Sequence, residues 1–486
     1  MPSRRVLLTA AGATGVAGLI GPATGPATGP ATGSARPRSA APDWAALDAS
    51  LDGSVEHSGT AGYYAARRLQ DPRFDGVRPP AVARCAHSAD VAEAIRFARR
   101  SGVPVVPRGG GHSYVGASTS TSALVLDVRR LSGIGYDAAT RTATIGGGAR
   151  LLDAYDRLGA RGVSIASGSC GTVGISGITS GGGIGMASAA YGLTCDAVTA
   201  ARMVTADGRE RTVDAGRELD LFWALRGGGG GQFGVVTQWR MRTFPAAATG
   251  QFTLTYRWAD AAAVAAGWQT AIADPGGAWS TCQFTAGADG DLGVRINGFV
   301  IGSAPDAAAQ AVERAIRREP LTAKLTRRSY LDVVHDRAGD GDGRTEIVGS
   351  DVFTRPLPGR AVAAMLAAVR ERARTRRPGV AKLKQLTGAP ARVRIEATAF
   401  PWRGAHTMMQ WLVMPAANDA ATVRDAYAWI DRGHRQLAGW SAGRYVNYPE
   451  PDPALLARYH GPHLARLRRV RAAADPQRLF RSPYAL

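Results

Sequence analysis

Hydrophobic and polar positions along the chain fall into two textures. Over 43–249, short β-rich runs alternate with amphipathic helical segments. In ADVAEAIRFARR, residues 89–100, apolar side chains recur at helical spacing; Gly102 then stops the helix and 103–106 begins a strand. Segments 124–128 and 142–145 read as further strands, and 151–158 as a helix. Over 250–439, alternating strands at 252–258, 292–301 and 407–413 are separated by Ala-rich helices at 304–318, 359–376 and 418–438. Such a segment predicts an antiparallel sheet covered by helices on one face. The fold class expected is therefore α+β. The remainder, 440–486, is polar and Arg-rich with a break at Asp475-Pro476, and its aromatic content predicts a return onto the first domain. A chain of 486 residues exceeds what one core usually serves, so two domains are expected.

Composition changes this picture at three points. The N-terminus carries Ser3-Arg4-Arg5 before a mildly apolar stretch to about Ile20, then PATG three times within 22–33. This reads as a twin-arginine-like export signal followed by a Pro/Gly linker over 1–42, too short and too weakly apolar to span a membrane. The net charge of +20 comes almost wholly from arginine, since only three of the 59 basic residues are lysines: Lys324, Lys382 and Lys384. Arginine used everywhere argues for a coding habit over a nucleic-acid patch, the cluster Arg466, Arg468, Arg469 and Arg471 being the one dense exception. The four cysteines, Cys85, Cys170, Cys195 and Cys282, are too few for a disulfide scaffold and lack zinc-site spacings.

Three glycine-dense segments carry the candidate chemistry. In Val105-Val106-Pro107-Arg108-Gly109-Gly110-Gly111-His112-Ser113, a strand runs into consecutive glycines whose backbone N–H groups suit a pyrophosphate, with Arg108 adding charge; a tight turn with no ligand would use the same residues. Residues 167–185, SGSCGTVGISGITSGGGIG, combine glycine with β-branched side chains, as a flat ligand against the main chain would require, while a lone Cys170 is as readily a buried apolar filler. In 225–237 five glycines precede a strand.

With these motifs in order, the chain resembles the berberine bridge enzyme-like family of FAD-linked oxidases, within the vanillyl-alcohol oxidase superfamily. His112 matches the histidine of RxGGHS, and Cys170 stands where bicovalent members bond the flavin. Residues 227–237 match the RGGGGGxFGIVT segment, 397–401 the ATAFPHR segment, and 445–449 the YxNYxD segment. The resemblance implies a PCMH-type FAD-binding domain at 43–249, a substrate domain at 250–439 and a berberine-bridge-type segment at 440–486. It implies FAD bonded covalently through His112 and Cys170, with Val106, Arg108, Gly109, Gly110, Gly111, Ser113, Gly116, Gly168, Thr172, Val173, Gly174, Gly177, Gly182, Val236 and Asn447 as its bed. A double link suits an exported protein, because a cofactor lost outside the cell cannot be replaced.

The reaction implied is hydride removal from an alcohol carbon, which needs a base. Tyr448 is the first candidate. Tyr445 is a supporting one, since in an extended segment a separation of three puts the two rings on opposite faces unless the chain bends at Asn447. Glu396 is the alternative. Val173 leaves room for oxygen, pointing to an oxidase that gives hydrogen peroxide. The favoured substrate is the alcohol of a small secreted natural product, as in antibiotic biosynthesis; an oligosaccharide, C–C or C–N bond formation, or a flavin-bearing binding protein are the alternatives. Three departures from the family pattern stand out: Trp402, Glu450, and the run Tyr459-His460-Gly461-Pro462-His463.

Overall fold

Three main sheets, each with its own helical cover, carry the chain. A computed structural model describes residues 41–338 and 345–486, so the export signal and linker expected over 1–42 lie outside the described residues but for the last two. The first sheet runs in the order Ser54–His57, Ala81–Arg84, Leu124–Asp127, Val105–Arg108, its last three strands parallel. The helix Ser88–Arg100 lays Val91, Ile95 and Ala98 on this sheet. Its apolar stripe is the periodicity read from the sequence, and burying that stripe makes a 13-residue helix stable where propensity alone would not. At the open edge, Val105 N donates to Leu479 O (2.9 Å) and Arg481 N donates to Val105 O (2.8 Å), so the chain's last residues extend the sheet.

The second sheet is five-stranded and antiparallel, in the order Ile134–Asp137, Thr142–Gly146, Val235–Arg242, Val198–Val204, Glu210–Asp214. The helix Leu151–Gly159 buries Leu151, Ala154, Tyr155 and Leu158 in its core.

The third sheet has seven antiparallel strands, ordered Thr322–Arg328, Thr249–Tyr256, Leu292–Ile301, Trp279–Ala286, Gly379–Gln385, Thr407–Val413, Ile347–Phe353. Cross-strand register sorts its side chains. Leu254, Ile296, Cys282, Leu383 and Met409 share one row and pack under the helices Ala261–Ala271, Asp306–Ile316, Gly359–Arg374 and Ala420–Leu437. The opposite face presents Thr253, Asn297, Thr281 and Lys384 in one row, and Thr255, Arg295, Gln283, Lys382 and Gln410 in the next. One face is a core and the other is a polar wall. All four cysteines are free, and the thiols of Cys85, Cys195 and Cys282 are buried.

Candidate functional site

A cavity of about 440 Å³ opens between the glycine-dense loops and the polar wall of the seven-stranded sheet. The strand Val105–Arg108 delivers Gly109–Gly111 and His112 to it; Gly168, Cys170, Thr172, Val173, Gly174 and Gly177 come from the second glycine segment, and Gly229–Gly231 with Val236 from the third. His112 and Cys170, far apart in the chain, line the same space.

Space around the glycines separates two roles. A Cβ on Gly110 would lie 2.3 Å from Gly174 N, and one on Gly174 would lie 2.3 Å from Gly110 N, so the two loops close backbone to backbone. A Cβ on Gly177 meets nothing within 4 Å, and one on Gly109 meets only Gly147 O at 3.8 Å. These cavity-lining positions leave room for a group that is not polypeptide. His112 bonds the Thr172 backbone, while its Nε2 is buried without a partner. Burial, aided by Arg150, pulls its pKa down to about 4, so the imidazole is neutral and free to act as a nucleophile or ligand. Cys170 is exposed, with its Sγ 3.6 Å from Thr172 Oγ1, unlike the three buried thiols. An orphaned imidazole, an open thiol and an unfilled glycine cradle fit FAD.

Several expected members of the site do other work. Glu396 is exposed in the short turn Ile395–Ala397, its carbonyl accepting from Trp223 Nε1, and it does not reach the cavity. Segment 445–448 is a turn closed by Tyr448 N donating to Tyr445 O (2.9 Å), not a strand, and it brings the two rings edge to face at 5.2 Å. Tyr445 is nonetheless buried outside the cavity, where its Oη accepts from Gly183 N (2.9 Å) and Asn447 Nδ2 (3.0 Å). It holds the glycine loop in place, and Asn447 adds a second tie by donating to Ile178 O. Arg108 lines the cavity, but its guanidinium donates to the carbonyls of Ala66, Arg67 and Ser118 and is not available to a pyrophosphate. Ser113 Oγ accepts from Ala117 N, tightening its own loop. Gly116 and Gly182 make room for the rings of Phe74 and Phe400, and Val106 is buried in the sheet.

Tyr448 is where the sequence placed it, on the cavity, with partners that the sequence did not supply. Lys384 Nζ donates to Tyr448 Oη at 2.6 Å and lies 5.0 Å from the ring centroid. Tyr114 packs edge-on against Tyr448 at 5.8 Å and bonds Glu346. Lys384 comes from the strand Gly379–Gln385, and Glu346 immediately precedes Ile347–Phe353; both line the cavity. Burial lowers Lys384 to about 8 against the weaker pull of Glu346, and burial pushes Tyr448 up. Arg73 braces the group by donating to the carbonyls of Tyr114 (2.8 Å) and Glu346 (2.9 Å). The sequence held one usable signal: two of the chain's three lysines sit two apart in AKLKQ.

Behind Tyr448 lies a buried ionic chain. His434 Nδ1 is 2.7 Å from Asp351 Oδ2, and its Nε2 is 3.0 Å from Glu450 Oε2. Arg444 Nη1 lies 2.6 Å from the other Glu450 oxygen, and Trp411 Nε1 donates to Asp351. The two carboxylates overcome the cost of burial and raise His434 to about 9, so it is an imidazolium between two anions. Glu450, the departure from the family's aspartate, has the reach to close this chain. Its backbone is held too: Glu450 N donates to Tyr459 Oη, and Tyr484 Oη donates to Glu450 O.

Comparison with known proteins agrees with this geometry. Residues 79–214 match the FAD binding domain family, and residues 444–485 match the family described as berberine and berberine like. An uncharacterized FAD-linked oxidoreductase of Bacillus subtilis, YgaK, is 29% identical over 412 residues, covering 83% of this chain and 90% of that protein. The fold superposes on BBE-like 1 of Physcomitrella patens with a TM-score of 0.82 at 24% identity, covering 91% of this chain and 98% of that one. It also superposes on a glucooligosaccharide oxidase of Acremonium strictum, whose structure is described as revealing a novel flavinylation, with a TM-score of 0.83 at 23% identity over 91% and 98% of the two chains. Among the described residues no helix is long and apolar enough to cross a membrane.

Proposed function

We propose, from its FAD binding domain and its berberine-like C-terminal segment, that the chain is a berberine bridge enzyme-like FAD-linked oxidoreductase and an exported oxidase of a small hydroxylated natural product. Its FAD is held by two covalent bonds, through His112 and Cys170. It converts a secondary or allylic alcohol to a ketone, or a hemiacetal to a lactone, and gives hydrogen peroxide. The observation that carries this reading is the Lys384–Tyr448 pair on the same cavity as His112 and Cys170.

When bound, FAD supplies the hydride acceptor and the route of electrons to oxygen. The chain's own residues handle the proton. Tyr448 Oη takes the substrate's hydroxyl proton, and Lys384 is close enough to share it. Two strongly coupled groups titrate as a pair. With one proton between them, the pair is the same base whether that proton resides on the phenol or the amine. Lys384, lowered to about 8, brings that state within reach near neutral pH. Tyr114 and Glu346 fix the ring edge-on, and Arg73 fixes them in turn. Residues Ser3-Arg4-Arg5 support export by the twin-arginine route, by which a protein leaves already folded and carrying its cofactor.

Steady-state turnover against a panel of secondary, allylic and hemiacetal alcohols, read as peroxide, tests the proposal. Peroxide stoichiometric with carbonyl product is expected. A preference for oligosaccharides would replace the natural-product reading, and a yellow protein that neither makes peroxide nor bleaches without air would be a binding protein.

A further inference from the structure

The polar wall of the seven-stranded sheet carries a row of cations that, among the described residues, no carboxylate pairs directly. Lys382 lies two residues from Lys384 on the strand Gly379–Gln385 and therefore faces the same side, about 7 Å along it. Register places Gln283 beside Lys382 and Arg295 beside Gln283. Arg337, at the end of the helix Tyr330–Ala338, joins the row: its guanidinium sits 4.7 Å from the centroid of Phe299 and repels both Lys382 and Arg295.

Among the described residues no hydrogen bond or ion pair reaches Lys382, Arg337 or Arg295; the carboxylate felt at Lys382 is Glu346, which already bonds Tyr114, and the one felt at Arg337 is Asp336, which already pairs with Arg328. Lys382 is half-buried, and burial, with repulsion from Lys384 and Arg337, pulls it down to about 8. Elsewhere half-buried cations find partners, Arg73 and Arg444 in carboxylates and Arg226 and Arg458 in carbonyl oxygens. A half-buried ammonium set among like charges is uphill unless something negative joins it. Of the three lysines on this face, Lys324 is exposed on the edge strand, Lys384 meets Tyr448, and Lys382 is half-buried and meets no partner.

Resting on the reading of the cavity as the substrate site, we propose that the substrate carries an anionic group, a carboxylate or its equivalent. Lys382 holds that group, with Arg337 and Arg295 beyond it, about 7 Å along the strand from the Lys384–Tyr448 pair that takes the hydroxyl proton. The substrate is thus a hydroxy acid, bound by its acid end and oxidised at its alcohol end. Because a charged partner cannot be replaced by a neutral isostere without leaving Lys382 unpaired, the wall selects on charge as well as shape.

Calorimetric titration of the purified flavoprotein with benzoate and with benzamide, which share a shape and differ in charge, tests this. Benzoate should bind tighter by about tenfold, the value of one hydrogen bond to a charged group, and the margin should shrink with added salt. Lys382→Met should erase the preference, Lys382→Arg should keep it, and Arg337→Met should reduce it. Should Lys382→Met fail to fold, Arg337→Met carries the test. Equal affinities in the unaltered protein, no binding of either probe, or a preference untouched by both Met variants would overturn the proposal. The colour of the denatured polypeptide from the same preparation keeps the two readings apart. A colourless chain sinks the covalent flavin and leaves the anion result standing, whereas a yellow chain without charge preference sinks the anion site alone.

Discussion

The glycine loops and the seven-stranded sheet wall one cavity by opposite means. On the loop side the wall is mostly main chain: Gly109 and Gly177 leave open space, and His112 and Cys170 are the two reactive groups set into it. On the sheet side the wall is side chain, with Lys384 reaching the cavity from a pleated face that also carries Lys382, Gln283 and Gln410 and whose other face packs under the helices. A wall of backbone suits a cofactor whose shape never varies. A wall of side chains can change its substrate by changing a few residues without disturbing the core behind it.

The sharpest way to break this division is at Tyr448. Tyr448→Phe should leave flavin content unchanged and lower kcat between about a hundredfold and ten-thousandfold, the usual worth of a positioned base. The pH profile adds a signature. With the singly protonated Lys384–Tyr448 pair as the proposed base, kcat/KM should rise as pH climbs through about 8 and level off above it. Lys384→Met should move that rise upward, because the phenol loses the cation that favours its ionised form. A profile unmoved by Lys384→Met would separate the two residues.

The next effect is on stability. His434→Ala leaves Asp351 buried without its cation and Glu450 with Arg444 alone, and should cost about 3–5 kcal/mol. His434 is raised in the fold to about 9 from an ordinary value near 6.5. Its contribution is therefore complete below about pH 6.5 and is lost as pH rises through about 9. Denaturant midpoints of the two proteins should lie far apart at about pH 6 and converge at about pH 10. A constant gap would show that the imidazole is not the titrating group.

The smallest and most selective effect contrasts two glycines. Gly110→Ala forces a methyl to 2.3 Å from Gly174 N and should destabilise the apoprotein by about 1–3 kcal/mol. Gly177→Ala lies in the helix Ile175–Ser180 and its methyl has no atom from outside that helix within 4 Å, so it should not lower the melting temperature of the apoprotein yet should lower the fraction that carries flavin. Equal behaviour of the two would mean that the cradle does not hold a ligand.

The same contrast explains what could be read from the sequence. The cradle is legible because its parts are contiguous, a strand running into GGGH and glycines spaced through SGSCGTVGISG, and the helices are legible because 88–100, 359–374 and 420–437 each carry a strong apolar stripe. Four strands of the large sheet left no such mark. Ile347–Phe353 is buried at every position and so does not alternate, while Thr322–Arg328 is an edge strand with almost every side chain exposed. Without those strands the register is invisible, and with it the meeting of Lys384, Glu346 and Tyr448 from three separate elements. Tyr445 was misplaced for a related reason: a turn at 445–448 takes the place of the extended segment, and its hydroxyl is spent on Gly183 N. Arg108 shows the converse, a motif position whose charge is consumed by three carbonyls that local sequence cannot reveal.

The claim beneath all of this is that His112 and Cys170 anchor one flavin between them. The intact mass of the purified, denatured polypeptide tests it most directly, followed by peptide mapping. The account predicts the chain plus one FAD, with the peptides containing His112 and Cys170 joined through it, flavin retained when either residue alone is replaced and released when both are. A polypeptide at its unmodified mass, or flavin still attached in the double variant, would contradict it.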